Sequence, residues 1–361
     1  MSIWRWADGF DAVSPDARIE LGEGDTPLVR SRRLGTGAGL DNLYFKLESC
    51  NPTGSYKDRF AFSAISHMVA RGERLCVATS SGNTGSALAA YCAAAGIRCN
   101  IAVVDTTPAG KLQQMLAYGA NLYRIRHFGT NPEVTKQVFQ ALQRLGERRD
   151  TAMQVSAFRY SPLGMSGVRT LGMELAQESP QPIDHVFTPA GGGGLTVAVI
   201  EGFQHMVKRE QLSRCPRVEC VQPHGNNTIA GPLRDGAKRA QDVLCSTQIS
   251  GLQVATVVDG HDTIRKCSET GGTGHLVSDE SIWETQQRLA REEGIFCEPA
   301  GATATAGALQ AVRDGLVDPR AVVVALVTGI GFKDPGSVES MVRHCPCPII
   351  EVNELEDHAG A

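Results

Sequence analysis

Apolar residues recur along this chain in two alternating rhythms. Short runs rich in β-branched and aromatic residues occupy 43–47 (Leu-Tyr-Phe-Lys-Leu), 75–78, 100–104 and 121–125, and a second series follows at 185–188, 217–221 and 321–327. Between these runs the apolar spacing lengthens, as in Phe60, Phe62, Ile65, Met68 and Val69. Helices are predicted over 85–95, 110–118, 132–145, 195–210, 279–293 and 303–314. Strands that alternate with helices build parallel sheets, because each crossover lays a helix over the sheet. The predicted fold class is therefore α/β, with two domains that each hold a mostly parallel, open, twisted sheet flanked by helices.

Nothing resembling a flexible linker separates the two series, so one unit is expected to be inserted into the other. The expected division is 1–60 plus 165–345 for a larger domain, 61–164 for a smaller inserted one, and 346–361 for a C-terminal tail. The polar residues 353–361 are expected to be mobile. Open parallel sheets bind ligands beyond the carboxyl ends of their strands, which directs attention to the corners where a strand turns into a helix.

Composition narrows the class without naming a ligand. An apolar fraction of 42% with 20% charged residues is ordinary for a globular protein. A net charge of −4, with no basic stripe, argues against a nucleic-acid partner. No apolar run reaches the length of a membrane span, and the first residues lack the apolar stretch of a signal peptide. The 11 cysteines are scattered without a CxxC pair, and those in apolar runs, such as Cys76, read as small hydrophobes. Reduced thiols, a cytoplasmic location and no metal site are expected. His261 and His275 flank a Gly-Gly-Thr-Gly run without metal-ligand spacing and read as surface or loop residues.

Four strand-to-helix corners carry the candidate chemistry. The first is 51–59, Asn-Pro-Thr-Gly-Ser-Tyr-Lys-Asp-Arg, which sets Lys57 at the start of a helix. The helix dipole there disfavours an ammonium, as an imine-forming amine requires. The second is 79–85, Thr-Ser-Ser-Gly-Asn-Thr-Gly, whose backbone N–H groups suit a carboxylate. The third holds Gly191, Gly192, Gly193 and Gly194 in succession. It lacks both the nucleotide P-loop pattern and the dinucleotide spacing, which favours a lone phosphate monoester. The fourth is 327–335, where Thr328 leaves a strand end and offers a hydroxyl to a ring nitrogen. An amine, a phosphate cradle, a carboxylate loop and this hydroxyl together specify pyridoxal 5'-phosphate holding an amino acid.

With these residues in view, the chain resembles fold-type II pyridoxal-phosphate enzymes, the tryptophan synthase β superfamily, and within it threonine synthases. The resemblance rests on 22–28, 51–59, 80–84, 292–300 and 328–335. It implies that Lys57 carries the cofactor as a Schiff base, that Asn83 bonds the cofactor's 3-oxygen and that Gly191, Gly192, Gly193 and Gly194 hold its phosphate. Thr328 would meet the pyridine nitrogen. Ser80, Ser81, Gly82 and Thr84 would hold the substrate carboxylate, with Ser156 and Arg159 (or Arg169) toward its distal end. Glu298 would line the cofactor or a cation site, or else cap the helix that follows it. A homodimer and a small, phosphorylated amino-acid substrate are also implied.

Two departures loosen the substrate assignment. The glycine loop looks more like that of threonine/serine dehydratases, and Val155-Ser156 replaces an Asn-Ser pair. The expected activity is conversion of O-phosphohomoserine to threonine. Its alternative is β-elimination or β-replacement on serine, threonine or O-phosphoserine, as in dehydratases and cysteate or cysteine synthases. A nucleotide-binding α/β module without pyridoxal phosphate is the remote alternative.

Overall fold

The computed structural model describes residues 2–356. Among them the strands are β1 (Leu28–Arg30), β2 (Leu43–Leu47), β3 (Leu75–Thr79), β4 (Arg98–Val104), β5 (Asn121–Ile125), β6 (Thr151–Gln154), β7 (His185–Pro189), β8 (Arg217–Pro223), β9 (Gly274–Val277) and β10 (Val323–Val327). They form a six-stranded sheet in the order β1-β2-β10-β7-β8-β9 and a four-stranded sheet in the order β5-β4-β3-β6. Every pairing is parallel except that of β1 with β2. The fold class is α/β with parallel sheets flanked by helices, as the alternation predicts.

Burial explains which runs were easiest to read. β10 lies mid-sheet, covered on both faces, and its five residues are all buried. Such a strand reads as an unbroken apolar run. β1 and β9 are edge strands of three and four residues, too short to show a period of two, and neither was foreseen. The helices Thr170–Glu178 and Gly260–Thr270 were also missed. The helix predicted over 303–314 begins earlier, as Pro299–Arg313. Proline suits that first position because its missing N–H would have no partner there.

His275 corrects an expectation. It lies buried in β9, with Nε2 3.2 Å from a Glu219 carboxylate that also bonds His185 Nδ1 at 2.8 Å. Burial alone would raise the Glu219 carboxyl, but the two imidazoles and the Thr273 N–H hold it down at about 2. Trp4 and Phe10 pack edge-on against Phe62 of the helix Asp58–Ala70 at 5.1 and 5.5 Å. Of the expected tail, 357–361 lie outside the described residues, and no described helix is long and apolar enough to cross a membrane.

Candidate active site

The site is assembled where the carboxyl ends of the two sheets face each other. Residues 328–331 leave β10 and are stitched on both sides. Tyr56 N–H donates to the Thr328 carbonyl at 3.0 Å, and Glu298 N–H donates to the Gly329 carbonyl at 3.0 Å. Single bridges pair Ser55 with Gly329 and Cys297 with Ile330. Three segments far apart in sequence, around Lys57, Glu298 and Thr328, thereby become neighbours.

Lys57 caps the helix Asp58–Ala70. Its Nζ donates to the Tyr56 hydroxyl at 2.6 Å and to Ser156 Oγ at 2.9 Å, so the amine has a defined direction. The two residues that follow it are anchors. Asp58 is buried and accepts from Thr53 N–H at 2.9 Å and Thr53 Oγ1 at 2.8 Å. Burial outweighs those bonds and raises its carboxyl to about 7. Arg59 is fully buried, forked onto Glu48 at 2.7 and 2.8 Å and onto Glu174 at 2.7 and 2.6 Å. Lys46, also buried, adds bonds to Glu178 at 2.6 Å and to Glu174 at 3.1 Å.

The second corner brings Ser80, Ser81, Gly82 and Thr84 to the start of the helix Asn83–Ala95, with Gly82 N–H bonded to Ser80 Oγ at 3.2 Å. Asn83 crosses to the large sheet, and its Nδ2 donates to Glu298 Oε1 at 2.6 Å. Gly329 permits this closeness: a Cβ there would sit 2.3 Å from Glu298 Oε1 and 3.2 Å from Asn83 Nδ2. The Asn83 Oδ1 is buried and has no partner among the described residues.

At the third corner Gly193 takes φ +96 and caps the helix Gly194–Lys208. A Cβ at Gly193 would meet Thr263 Oγ1 at 2.1 Å, and one at Gly194 would meet Asp259 Oδ2 at 2.7 Å. Glycine is thus demanded by the protein's own segment 251–263, which covers the loop. The N–H groups of Gly191, Gly192, Gly193 and Gly194 meanwhile find no acceptor among the described residues. That row of free donors at a helix N-terminus is suited to an anion.

Glu298 stands at the N-cap of the helix Pro299–Arg313, but its side chain makes no capping bond. Burial raises its carboxyl to about 7, against the Asn83 hydrogen bond and the charges of Lys333 and Lys111. Lys333 donates to Gln114 Oε1 at 2.6 Å. Its burial pulls the ammonium below its ordinary value, although Glu298 and Asp58 oppose this. Lys111 bonds Ser250 Oγ at 2.7 Å and Asp334 at 2.8 Å, tying the helix Ala109–Ala117 to the large sheet's loops.

Glu298 yields a pH prediction. Because its folded carboxyl titrates near 7 instead of near 4.5, the folded chain keeps a proton that the unfolded chain loses. This group's contribution to stability therefore falls as pH rises from about 4.5 to about 7, by up to about 3 kcal/mol. In Glu298→Gln that decline should be missing. Melting temperatures of both proteins between pH 5 and pH 8 check this, and parallel curves refute it.

Not every candidate arrives at the site. The exposed Arg159 guanidinium lies 5.8 Å from the Tyr160 ring centre. It lines a cavity of about 620 Å³ with Met68, Gln154 and Tyr160, which Lys57 does not line. Its backbone N–H, with that of Phe158, is held by Asp259 at 3.1 and 2.9 Å. Arg169 is paired with Glu201 at 2.7 Å. Both arginines follow Ser156 in the chain, but the fold sets the Arg159 guanidinium beside Tyr160 and pairs Arg169 with Glu201. Tyr56, Lys333 and the segment 250–263 were missed. Tyr56 had a signal in its adjacency to Lys57; the irregular segment 250–258 had none.

The family model of pyridoxal-phosphate-dependent enzymes matches residues 19–329. The chain belongs to that family. It is 30% identical to the threonine synthase of Methanocaldococcus jannaschii over 93% of this chain and 81% of that protein. The threonine synthase of Mycobacterium tuberculosis is 30% identical over 94% of this chain and 90% of its own length. The processed form of threonine deaminase isoform 2 from Solanum lycopersicum shares the fold with a TM-score of 0.73 at 22% identity, covering 96% of this chain and 94% of that one. Pyridoxal phosphate is the cofactor of this enzyme. The residues present fit it: a half-buried amine at Lys57, free N–H donors at the glycine loop and an orphaned amide oxygen at Asn83.

Proposed function

We propose that this pyridoxal-phosphate-dependent enzyme is a lyase that converts O-phosphohomoserine to threonine, by γ-elimination of phosphate and addition of water at Cβ. The observation that carries this reading is the likeness to threonine synthases at 30% identity along 93% of the chain. That span includes all four strand-to-helix corners. We further infer a homodimer working in the cytoplasm, with 61–164 as a smaller domain inserted into the larger.

When bound, pyridoxal phosphate supplies the electron sink that makes an amino acid's α-proton removable. Lys57 would hold the cofactor, with Asn83 and the four glycines around it. The Lys57 amine is the base that takes and returns the proton at Cα, kept in direction by the Tyr56 and Ser156 hydroxyls at 2.6 and 2.9 Å. Ser80, Ser81, Gly82 and Thr84 orient the substrate carboxylate with N–H and hydroxyl donors. Thr328 offers a neutral hydroxyl, which does not stabilise a protonated ring nitrogen as a carboxylate would. This favours elimination over transamination.

One observation favours a second reading, β-elimination on serine or threonine. The Arg159 guanidinium lies beside Tyr160 and Arg169 is paired with Glu201, so neither is seen bonded toward Lys57. Steady-state assays separate the two. Release of phosphate with formation of threonine from O-phosphohomoserine, at a kcat/KM above that for keto acid from serine or threonine, is the expected result. The reverse order overturns it.

A further inference from the structure

A second constellation lies inside the four-stranded sheet's core, away from every residue assigned above. Cys76 stands on β3, Cys99 on β4, and the two are partners in register across adjacent strands. Cys92 comes from the helix Asn83–Ala95. All three are buried free thiols, and their sulfurs lie within 4.8 Å of one another. Spacing along the chain conceals the group, since a strand, a helix and a second strand each contribute one residue.

We propose that Cys76, Cys92 and Cys99 form a binding site for a soft d10 cation of the Cu(I) class, held by three sulfurs. Buried thiols commonly pack as small hydrophobes, so sulfur spacing and coordination number must decide for an ion. At metal–sulfur distances of about 2.3 Å a trigonal site needs sulfurs roughly 4.0 Å apart. Sulfurs already within 4.8 Å need to close by less than 1 Å. Structural zinc sites are closed by four ligands, whereas this group holds three cysteines and no fourth histidine, cysteine or acidic residue among the described residues. Soft thiolate sulfur selects Cu(I).

Cysteine ligates as the thiolate, so binding releases thiol protons to solvent. The ion would pin the helix that begins at Asn83 onto its sheet, and so brace the corner holding Ser80, Ser81, Gly82 and Thr84.

The test uses the full-length, reduced enzyme with its cofactor, titrated with Cu(I) under anaerobic conditions against a coloured Cu(I) chelator. One equivalent should be retained per chain, with a near-ultraviolet sulfur-to-copper absorption and a raised melting temperature. Cys99→Ala should lose that equivalent while keeping its far-ultraviolet circular dichroism. The variant Cys50→Ser/Cys345→Ser/Cys347→Ser, which removes only exposed thiols, should keep it. Retention in Cys99→Ala, loss in the exposed-thiol variant, or no binding by wild type even after refolding with Cu(I) each overturns the proposal.

Discussion

Lys57→Ala is expected to lower kcat by at least about 10³-fold, while the protein stays folded. The reasoning is geometric. Lys57 is a half-buried amine whose partners, the Tyr56 and Ser156 hydroxyls, only orient it. No second amine duplicates it. Lys333 is another half-buried lysine of this region, but its Nζ is occupied by Gln114 and faces the charges of Glu298 and Asp58. Two measurements check the expectation. Borohydride reduction of the wild type followed by peptide mapping should label residue 57 alone. In Lys57→Ala the visible band of protein-bound cofactor should shift to that of a non-covalent complex. A label on Lys333, or activity within tenfold of wild type, would defeat the assignment.

Arg59→Ala should be the most destabilising substitution near the site, at about 3–5 kcal/mol. Its guanidinium is fully buried and satisfies two carboxylates, Glu48 and Glu174, through forked bonds of 2.6–2.8 Å. Removing it leaves carboxylates in a site that water does not reach, with Lys46 the remaining cation of the cluster. Arg59→Lys should lose less, because it restores the charge without the planar fork. The pH dependence has a definite sign. Arg59 and Lys46 hold the Glu174 carboxyl down at about 2, against burial. Its stabilisation is therefore present above about 4.5 and is lost as pH falls toward 2. Urea unfolding of the three proteins at pH 7 and pH 4 gives both magnitudes. Equal stabilities would remove the network from the account of how Lys57 is held.

These two residues stand two apart in one motif, yet they differ in legibility. Lys57 could be read as an imine-forming amine because a Pro/Gly/Ser turn, a helix start and a downstream glycine run together imply that chemistry. Arg59 could not be read as structural, because its partners Glu48 and Glu174 come from opposite sides of the motif. Glu298 is a similar case. Its position before Pro299 suggests a helix cap, but the carboxylate turns away to Asn83, 215 residues distant in the chain. Arg159 is the opposite case, a basic residue close in sequence to Ser156 that lines a cavity Lys57 does not line.

The sequence by itself determined the alternation of strands and helices, the parallel character of the sheets and the four corners with their amine, glycines and hydroxyls. These are local properties, set by hydrophobic period, by backbone freedom at glycine and by the needs of a helix start. Tertiary structure alone decided the pairing of buried charges, the direction of each arginine, the burial of His275 and the meeting of Cys76, Cys92 and Cys99. The physical reason is the same in each instance. Whether a polar side chain is solvated or paired depends on which distant backbone comes within about 3 Å of it, and no spacing along the chain encodes that.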